Sequence, residues 1–246
     1  MPPHTHYVEP YFGGGSVLFA HAGEGVSEVV NDVDWLLVNF WRVLQSPVLF
    51  EDFRRRVDAM PFAEAEWDIS NRVNRMRHTQ GAVDGAVDFF VACRQSLAGR
   101  MQSFTGVTKT RTRRGMNAEV SAWLSAVEGL PAVHARLKRV LILNRPALDV
   151  IRGQDGADTF FYVDPPYLHE TRASTEVYAH EMTADDHRGL LDAVRGVKGK
   201  VALSGYPSAL YDEALAGRRV VDFAVANHSA GGSTKSRMVE RLRLNY

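Results

Sequence analysis

Two textures alternate along this chain. Short apolar runs bounded by acids, glycines and prolines lie toward both ends, and long amphipathic stretches fill the middle. Tyr7-Val8, Glu28-Val29-Val30, Val140-Leu141-Ile142-Leu143, Thr159-Phe160-Phe161-Tyr162-Val163 and Lys200-Val201-Ala202-Leu203 are short and rich in β-branched or aromatic residues, which predicts strands. Helices are predicted over Val17 to Ala20, Trp35 to Leu44, Ala147 to Arg152, Ala184 to Val194 (capped by Thr183) and Leu210 to Leu215. Strands that alternate with helices predict an α/β architecture. Val220 to Val225 and Arg241 to Leu244 predict a closing antiparallel pair around Gly231-Gly232.

From about Gln45 to Arg139 the period becomes helical. Pro47 to Met60, Glu64 to Arg77, Val83 to Gly99, Asn117 to Val127 and Ala132 to Arg139 are each predicted as an amphipathic helix. Leu49, Phe53 and Val57 recur at i, i+4, i+8, and Phe89, Phe90, Cys93 and Leu97 are expected to line one face. No strand is predicted there. The expected organisation is an α/β domain from 1–45 and 140–246, carrying a helical insertion over 46–139.

A length of 246 residues with 45% hydrophobic content suits one large α/β domain with such an insertion. Lys+Arg and Asp+Glu both total 29, so global charge announces no nucleic-acid partner, and any such partner requires local patches. The strongest patch is Thr108-Lys109-Thr110-Arg111-Thr112-Arg113-Arg114-Gly115, where guanidinium groups and threonine hydroxyls are both phosphate donors. A solvated loop is the plain alternative. Arg72, Arg75 and Arg77, with Asn71 and Asn74, form a second basic helix face. Cys93 is the only cysteine, which excludes an internal disulfide and fits a reducing compartment. With no signal-like start and no long apolar run, the expected location is the cytoplasm, without a membrane span.

Asp164-Pro165-Pro166-Tyr167 follows the Thr159 to Val163 strand directly. Proline has no N–H with which to extend a ladder, so the strand ends and Asp164 falls just past its carboxyl end. That edge of an open α/β sheet is where ligands bind. A Pro-Pro turn with a solvated Asp is the alternative. After the first strand come Glu9-Pro10-Tyr11-Phe12-Gly13-Gly14-Gly15-Ser16, a glycine turn into a helix whose glycines permit positive φ and close ligand approach. After the second strand come Asn31 and Asp32. An acid about 20 residues beyond a glycine turn is placed to hold a ribose diol. Asp34 is the rival, and it is the better N-cap for the apolar helix that begins at Trp35.

Taken together, these residues resemble the Dam-type DNA adenine-N6 methyltransferases, which have the glycine motif ahead of the recognition region and the Asp-Pro-Pro-Tyr motif after it. Ser204-Gly205-Tyr206, Thr171-Arg172, Tyr178 to Thr183 with His187, and Leu244-Asn245-Tyr246 also look like that family. The resemblance implies a Rossmann-like class I methyltransferase sheet that binds S-adenosylmethionine, with the helical insertion as the domain recognising double-stranded DNA. It implies a cofactor site at Glu9, Pro10, Tyr11, Phe12, Gly13, Gly14, Gly15, Asp32 and Asp164. It implies a catalytic group of Asp164, Pro165, Pro166 and Tyr167, and DNA contacts from Lys109, Arg111, Arg113, Arg114 and Arg172. The setting it implies is DNA adenine methylation in a bacterial or phage-infected cell. A second reading is a DNA-binding relative with impaired catalysis, and a third is methylation of an amine in RNA or protein.

The chemistry accounts for these residue types. An exocyclic adenine amine is a poor nucleophile because its lone pair is delocalised into the ring. Fixed acceptors for both amine hydrogens, the Asp164 carboxylate and the Pro165 carbonyl, would pull the nitrogen toward tetrahedral geometry. Tyr167 would stack on a base turned out of the duplex. The rival cysteine chemistry finds only Cys93, read as a small hydrophobe on a helix face. His169-Glu170 has no second histidine at zinc-helix spacing, so no metal is expected.

Overall fold

The computed structural model describes residues 1–21, 23–76, 81–105, 110–168, 180–226 and 237–246. The chain divides into two compact units, Met1–Val33 with Leu143–Tyr246, and Asp34–Ile142.

The first unit is built on a sheet. Its strands are β1 (His6–Glu9), β2 (Ser27–Asn31), β6 (Thr159–Val163), β7 (Lys200–Gly205), β8 (Arg219–Ala226) and β9 (Arg237–Leu244). β5 (Val140–Leu143) forms the edge next to β2, and the Leu143 carbonyl accepts from the Asp32 amide at 3.4 Å. The order is β5-β2-β1-β6-β7-β9-β8. β2, β1, β6 and β7 pair in parallel, while β9 runs antiparallel to both β7 and β8. The closing antiparallel pair is therefore present as expected, and the Gly231-Gly232 loop lies outside the described residues. From β1 the chain steps to β2 on one side and later returns to β6 on the other. The sheet thus reverses its winding between β1 and β6, and such a switch point opens a crevice at the strand ends.

Alternation along the strands sorts side chains between two faces. Val8, Val29, Phe161, Val163, Val201 and Leu203 belong to a core with Val150 and Ile151 of α7 (Ala147–Gly153), Leu190, Leu191 and Val194 of α8 (Ala184–Gly196) and Tyr211 of α9 (Ala209–Ala214). Tyr7 and Phe160 are equally buried on the other face, with the His21 ring stacked on Tyr7 at 5.6 Å. Burial on both faces explains why β6 reads as an unbroken apolar run. Thr183 caps α8 through a reciprocal capping box with Asp186.

The second unit is helical: α2 (Trp35–Gln45), α3 (Pro47–Asp58), α4 (Glu64–Met76), α5 (Ala82–Arg94) and α6 (Ala118–Leu137). It begins at Asp34, ahead of the boundary expected at 46. The reason is packing: Phe40 of α2 lies 5.9 Å from both Phe53 and Phe90, and Gln45 Nε2 donates to the carbonyls of Leu137 and Val140 at 2.9 and 2.6 Å. The helix expected over Val83 to Gly99 stops at Arg94, with a separate 3₁₀ turn at Leu97–Gly99. Its buried face is Ala86, Val87, Phe90 and Val91, while Leu97 is 55% exposed. Burial raises the Cys93 thiol above its ordinary range, in keeping with an inert packing residue.

Two expected helices, Asn117 to Val127 and Ala132 to Arg139, are one helix that runs through Pro131. Trp123, Val127, Leu130 and Leu137 of α6 are buried at helical spacing, and His134 stacks flat on Phe50 at 4.3 Å while its Nδ1 meets the Leu44 carbonyl at 2.6 Å. This continuous packed face offsets the ~3 kcal/mol that an interior proline costs. A two-residue pair not foreseen in the sequence, β3 (Thr112–Arg113) with β4 (Met116–Asn117), turns through Arg114 and Gly115, both at positive φ.

Phe90 touches the rings of Phe40, Phe53 and Trp123. Phe90→Ala is expected to lower stability by ~3–5 kcal/mol, and Phe90→Leu by much less, in denaturant unfolding followed by tryptophan fluorescence.

Candidate active site

The crevice is lined first by the segment that leaves β1. Asn31, at the end of β2, is 1% exposed, and its amide donates to the carbonyls of Pro10 at 2.9 Å and Arg145 at 3.0 Å while accepting from the Arg145 amide at 2.9 Å. The Phe12 amide donates to the Asn31 carbonyl at 2.8 Å. Pro10, Tyr11 and Phe12 are thereby fixed before the glycines begin. Gly15 has φ +69°, and a Cβ there would lie 2.6 Å from the Phe12 ring, so the position demands glycine. Gly13 (φ +48°) and Gly14 are different, because a Cβ on either would meet nothing within 4 Å, leaving the backbone open to an approaching group. The helix that follows, α1 (Ser16–Ala20), is a single turn, so it contributes less dipole than a full helix entry.

The two rival acids separate. Asp34 caps α2, accepting from the Leu36 amide at 3.1 Å. Asp32 Oδ2 accepts from the Gly13 amide at 2.9 Å, which joins the second strand's acid to the glycine turn. Glu9 is 2% exposed and faces inward. The Tyr7 hydroxyl donates to it at 2.6 Å and the Leu18 amide also bonds it. Burial pushes the Glu9 carboxyl up to about 7, and the charge of Asp164 adds to the rise.

The second wall comes from β6 and its neighbours. Val163 pairs with Leu203, so Asp164 stands level with Ser204 of β7. Burial pushes the Asp164 carboxyl up to about 6, opposed by the Tyr167 and Ser204 hydroxyls and reinforced by the charge of Glu240. Tyr167 donates to Glu240 Oε1 at 3.0 Å, and Ser204 donates to the same oxygen at 2.7 Å. The rings of Tyr167 and Tyr206 meet edge to face at 4.6 Å. Asp164, Tyr167, Ser204 and Tyr206 are thus assembled across β6 and β7. Glu240 of β9 is the member that sequence reading missed, because its partners are remote in sequence and only the antiparallel register brings it there.

The basic residues are placed less uniformly. Arg111 and Arg113 are exposed. Arg114 makes a bidentate pair with Glu128 at 2.9 and 3.0 Å and donates to Ser125 at 3.2 Å, which braces the β3–β4 turn against α6. The sequence neighbourhood of Arg114 holds no acid, and the structure supplies one from the next helix. On α4, Arg72 and Arg75 are exposed, whereas Asn71 and Asn74 turn inward and are buried. Lys109, Arg77, Arg172 and the stretch from His169 to Ala179 lie outside the described residues. Among the described residues no group of three or more His, Cys, Asp or Glu is arranged to hold a metal ion, and no helix is long and apolar enough to cross a membrane.

One α/β sheet thus carries a switch point between β1 and β6, a glycine turn bonded to the acid that follows β2, and a half-buried acid ahead of Pro-Pro-Tyr after β6. The model of the D12 class N6 adenine-specific DNA methyltransferase family matches residues 1–222, and the chain belongs to that family. Members of this family are S-adenosylmethionine-dependent enzymes that methylate adenine in DNA. A search of curated proteins finds no match. Glu240 lies beyond the matched residues.

The raised carboxyl of Glu9 carries a stability consequence. Its folded value, about 7, exceeds the ordinary 4.5, so the stability tied to its protonated form is complete below about 4.5 and is lost as pH rises through about 7. Glu9→Gln is therefore expected to be more stable than wild type at pH 8, by up to ~3 kcal/mol, with the difference closing by pH 4.5. Thermal unfolding across that range checks it, and a pH-independent difference would refute the assignment.

Proposed function

We propose that this chain transfers the methyl group of S-adenosylmethionine to the N6 amine of an adenine turned out of duplex DNA. The observation that carries this reading is the position of Asp164: half-buried, just past β6 beside the switch point, and next to the Pro165 carbonyl and the Tyr167 ring. The residues at the glycine turn suit the cofactor. Open backbone at Gly13 and Gly14 accommodates close approach, Asp32 is placed to accept from ribose hydroxyls, and the half-buried Tyr11 offers aromatic surface, while Phe12 is buried beneath the turn. S-adenosylmethionine, when bound, supplies an electrophilic methyl on a sulfonium centre.

The chain's own contribution is positioning and fixed electrostatics. The Asp164 carboxylate accepts one amine hydrogen and the Pro165 carbonyl the other, which localises the nitrogen lone pair for attack. Pro166 stiffens the backbone that holds that carbonyl. Tyr167 stacks against the base, and the stacked base shields both acceptors from water. Asp164 accepts in its ionised form, so transfer should rise with pH through about 6.

The helical unit, Asp34–Ile142, is proposed as the DNA target-recognition domain. Its cations fall into two groups. Arg55 and Arg56 of α3 are paired with Asp52 and Asp84, and Arg114 with Glu128. The exposed Arg111 and Arg113 are the proposed phosphate contacts, presented by a turn that Arg114 braces. Lys109 and Arg172 complete the proposed set from sequence.

With radiolabelled S-adenosylmethionine and adenine-containing duplex DNA, methyl transfer is expected, and Asp164→Ala should reduce it by ~10²-fold or more while DNA binding is retained. An Asp164→Ala protein as active as wild type would sink the mechanism. Replacing Arg111 and Arg113 together with alanine should weaken DNA binding and reduce the slope of log affinity against log salt by about two, measured by fluorescence anisotropy. An unchanged slope would remove these arginines from the interface.

A further inference from the structure

Two carboxylates, Asp164 and Glu240, flank two hydroxyls. Tyr167 and Ser204 both donate to Glu240 Oε1, at 3.0 and 2.7 Å, and their oxygens are 3.1 Å apart. The same hydroxyls also reach Asp164, where they draw its carboxyl downward against the effect of burial. Each hydroxyl carries a single proton. A proton given to Asp164 is withdrawn from Glu240, and it occupies a lone pair that the substrate amine needs. The two acids therefore compete for the same two donors, and Glu240 Oε1 holds both at hydrogen-bond distance.

We propose that Glu240 is a positioning residue for methyl transfer: it gathers the hydroxyl protons of Tyr167 and Ser204 onto Oε1, leaving the Asp164 carboxylate to accept from the amine. This rests on the reading of Asp164 as the amine acceptor. It assigns Glu240 two effects. The first is steric, since the hydroxyl of Tyr167 is held at one end while Tyr206 meets its ring edge to face, which fixes the plane on which a base stacks. The second is electrostatic, since the negative charge of Glu240 makes Asp164 a more basic acceptor. The other groups that face Asp164 are Glu9 from β1, Tyr162 from β6 and Tyr211 from α9. Burial raises Tyr162, Tyr167 and Tyr211, so these three stay neutral donors across the working range.

Two substitutions separate this role from simple support of the fold. Glu240→Gln keeps an acceptor oxygen and removes the charge, whereas Glu240→Ala removes both. In both, the acid limb of the kcat–pH profile should move to lower pH by about 0.5 or more, because loss of the charge lowers Asp164. Glu240→Ala should also lower kcat about tenfold or more with KM for DNA changed less than about twofold, because the hydroxyls turn to Asp164. Adding Ser204→Ala to Glu240→Ala should recover part of that rate by removing one competing donor. A readout independent of turnover is ¹³C NMR titration of aspartate-labelled protein, with the Asp164 carboxyl assigned by its loss in Asp164→Asn. Its midpoint near 6 should fall in Glu240→Gln. An unmoved midpoint, or a slower enzyme with an unmoved acid limb, overturns the inference. If wild type transfers no methyl group, the proposed function fails, and the carboxyl titration alone decides the role of Glu240.

Discussion

The side-chain amide of Asn31 is the joint on which the crevice depends. It is fully buried at the end of β2, where an amide without partners would cost ~1–3 kcal/mol. Instead it makes three hydrogen bonds, one to the segment leaving β1 and two to the segment leaving β5. Its backbone carbonyl holds the Phe12 amide as well. Three strand ends are thus fixed to one another by a single residue, and the glycine turn inherits its position from that arrangement. Asp32, the next residue, then reaches Gly13 without any further adjustment of the chain.

The opposite wall of the crevice rests on charge and not on a joint. Glu9 and Asp164 stand at the ends of neighbouring strands, Glu9 buried and Asp164 half-buried, and desolvation raises both carboxyls. A fold that brings two acids to one switch point accepts a cost in stability at neutral pH. The hydroxyls of Tyr7, Tyr167 and Ser204 moderate it by donating into the pair and its neighbours. The arrangement favours an occupant carrying positive charge or offering N–H donors, which is the character of a sulfonium and of an exocyclic amine.

Much of the fold is written locally and was legible in the sequence. Thr159 to Val163 is an unbroken apolar run ended by prolines, and it is a strand with those bounds because nothing else could continue it. Asp34, the better N-cap by its place ahead of an apolar helix, does cap α2, while Asp32 accepts from the Gly13 amide. What was not legible depends on contacts between distant residues. Pro131 marks a helix break by every local rule, yet packing of Leu130, His134 and Leu137 carries α6 through it. The strongly apolar α2 falls with the α/β domain by its position before residue 46, but its Phe40 packs against Phe53 and Phe90 of the helical unit. Glu240 is a single acid among Arg237, Arg241 and Arg243, and its partners Tyr167 and Ser204 are fixed only once the antiparallel register is known.

The placement of β9 has a consequence for how the molecule is made. β9 follows β7 and β8 in sequence, yet it lies between them in the sheet. A growing chain on the ribosome therefore holds β8 with no neighbour to pair with until β9 has emerged and inserted. Through that interval the edge of β7 is open and Tyr167 and Ser204 lack the carboxylate that orients them. The chain can fold its glycine turn and its half-buried acid early, while the last part of the site closes with the late insertion of one strand. The hydroxyls of Tyr167 and Ser204 thus gain their shared acceptor only when β9 is in the sheet.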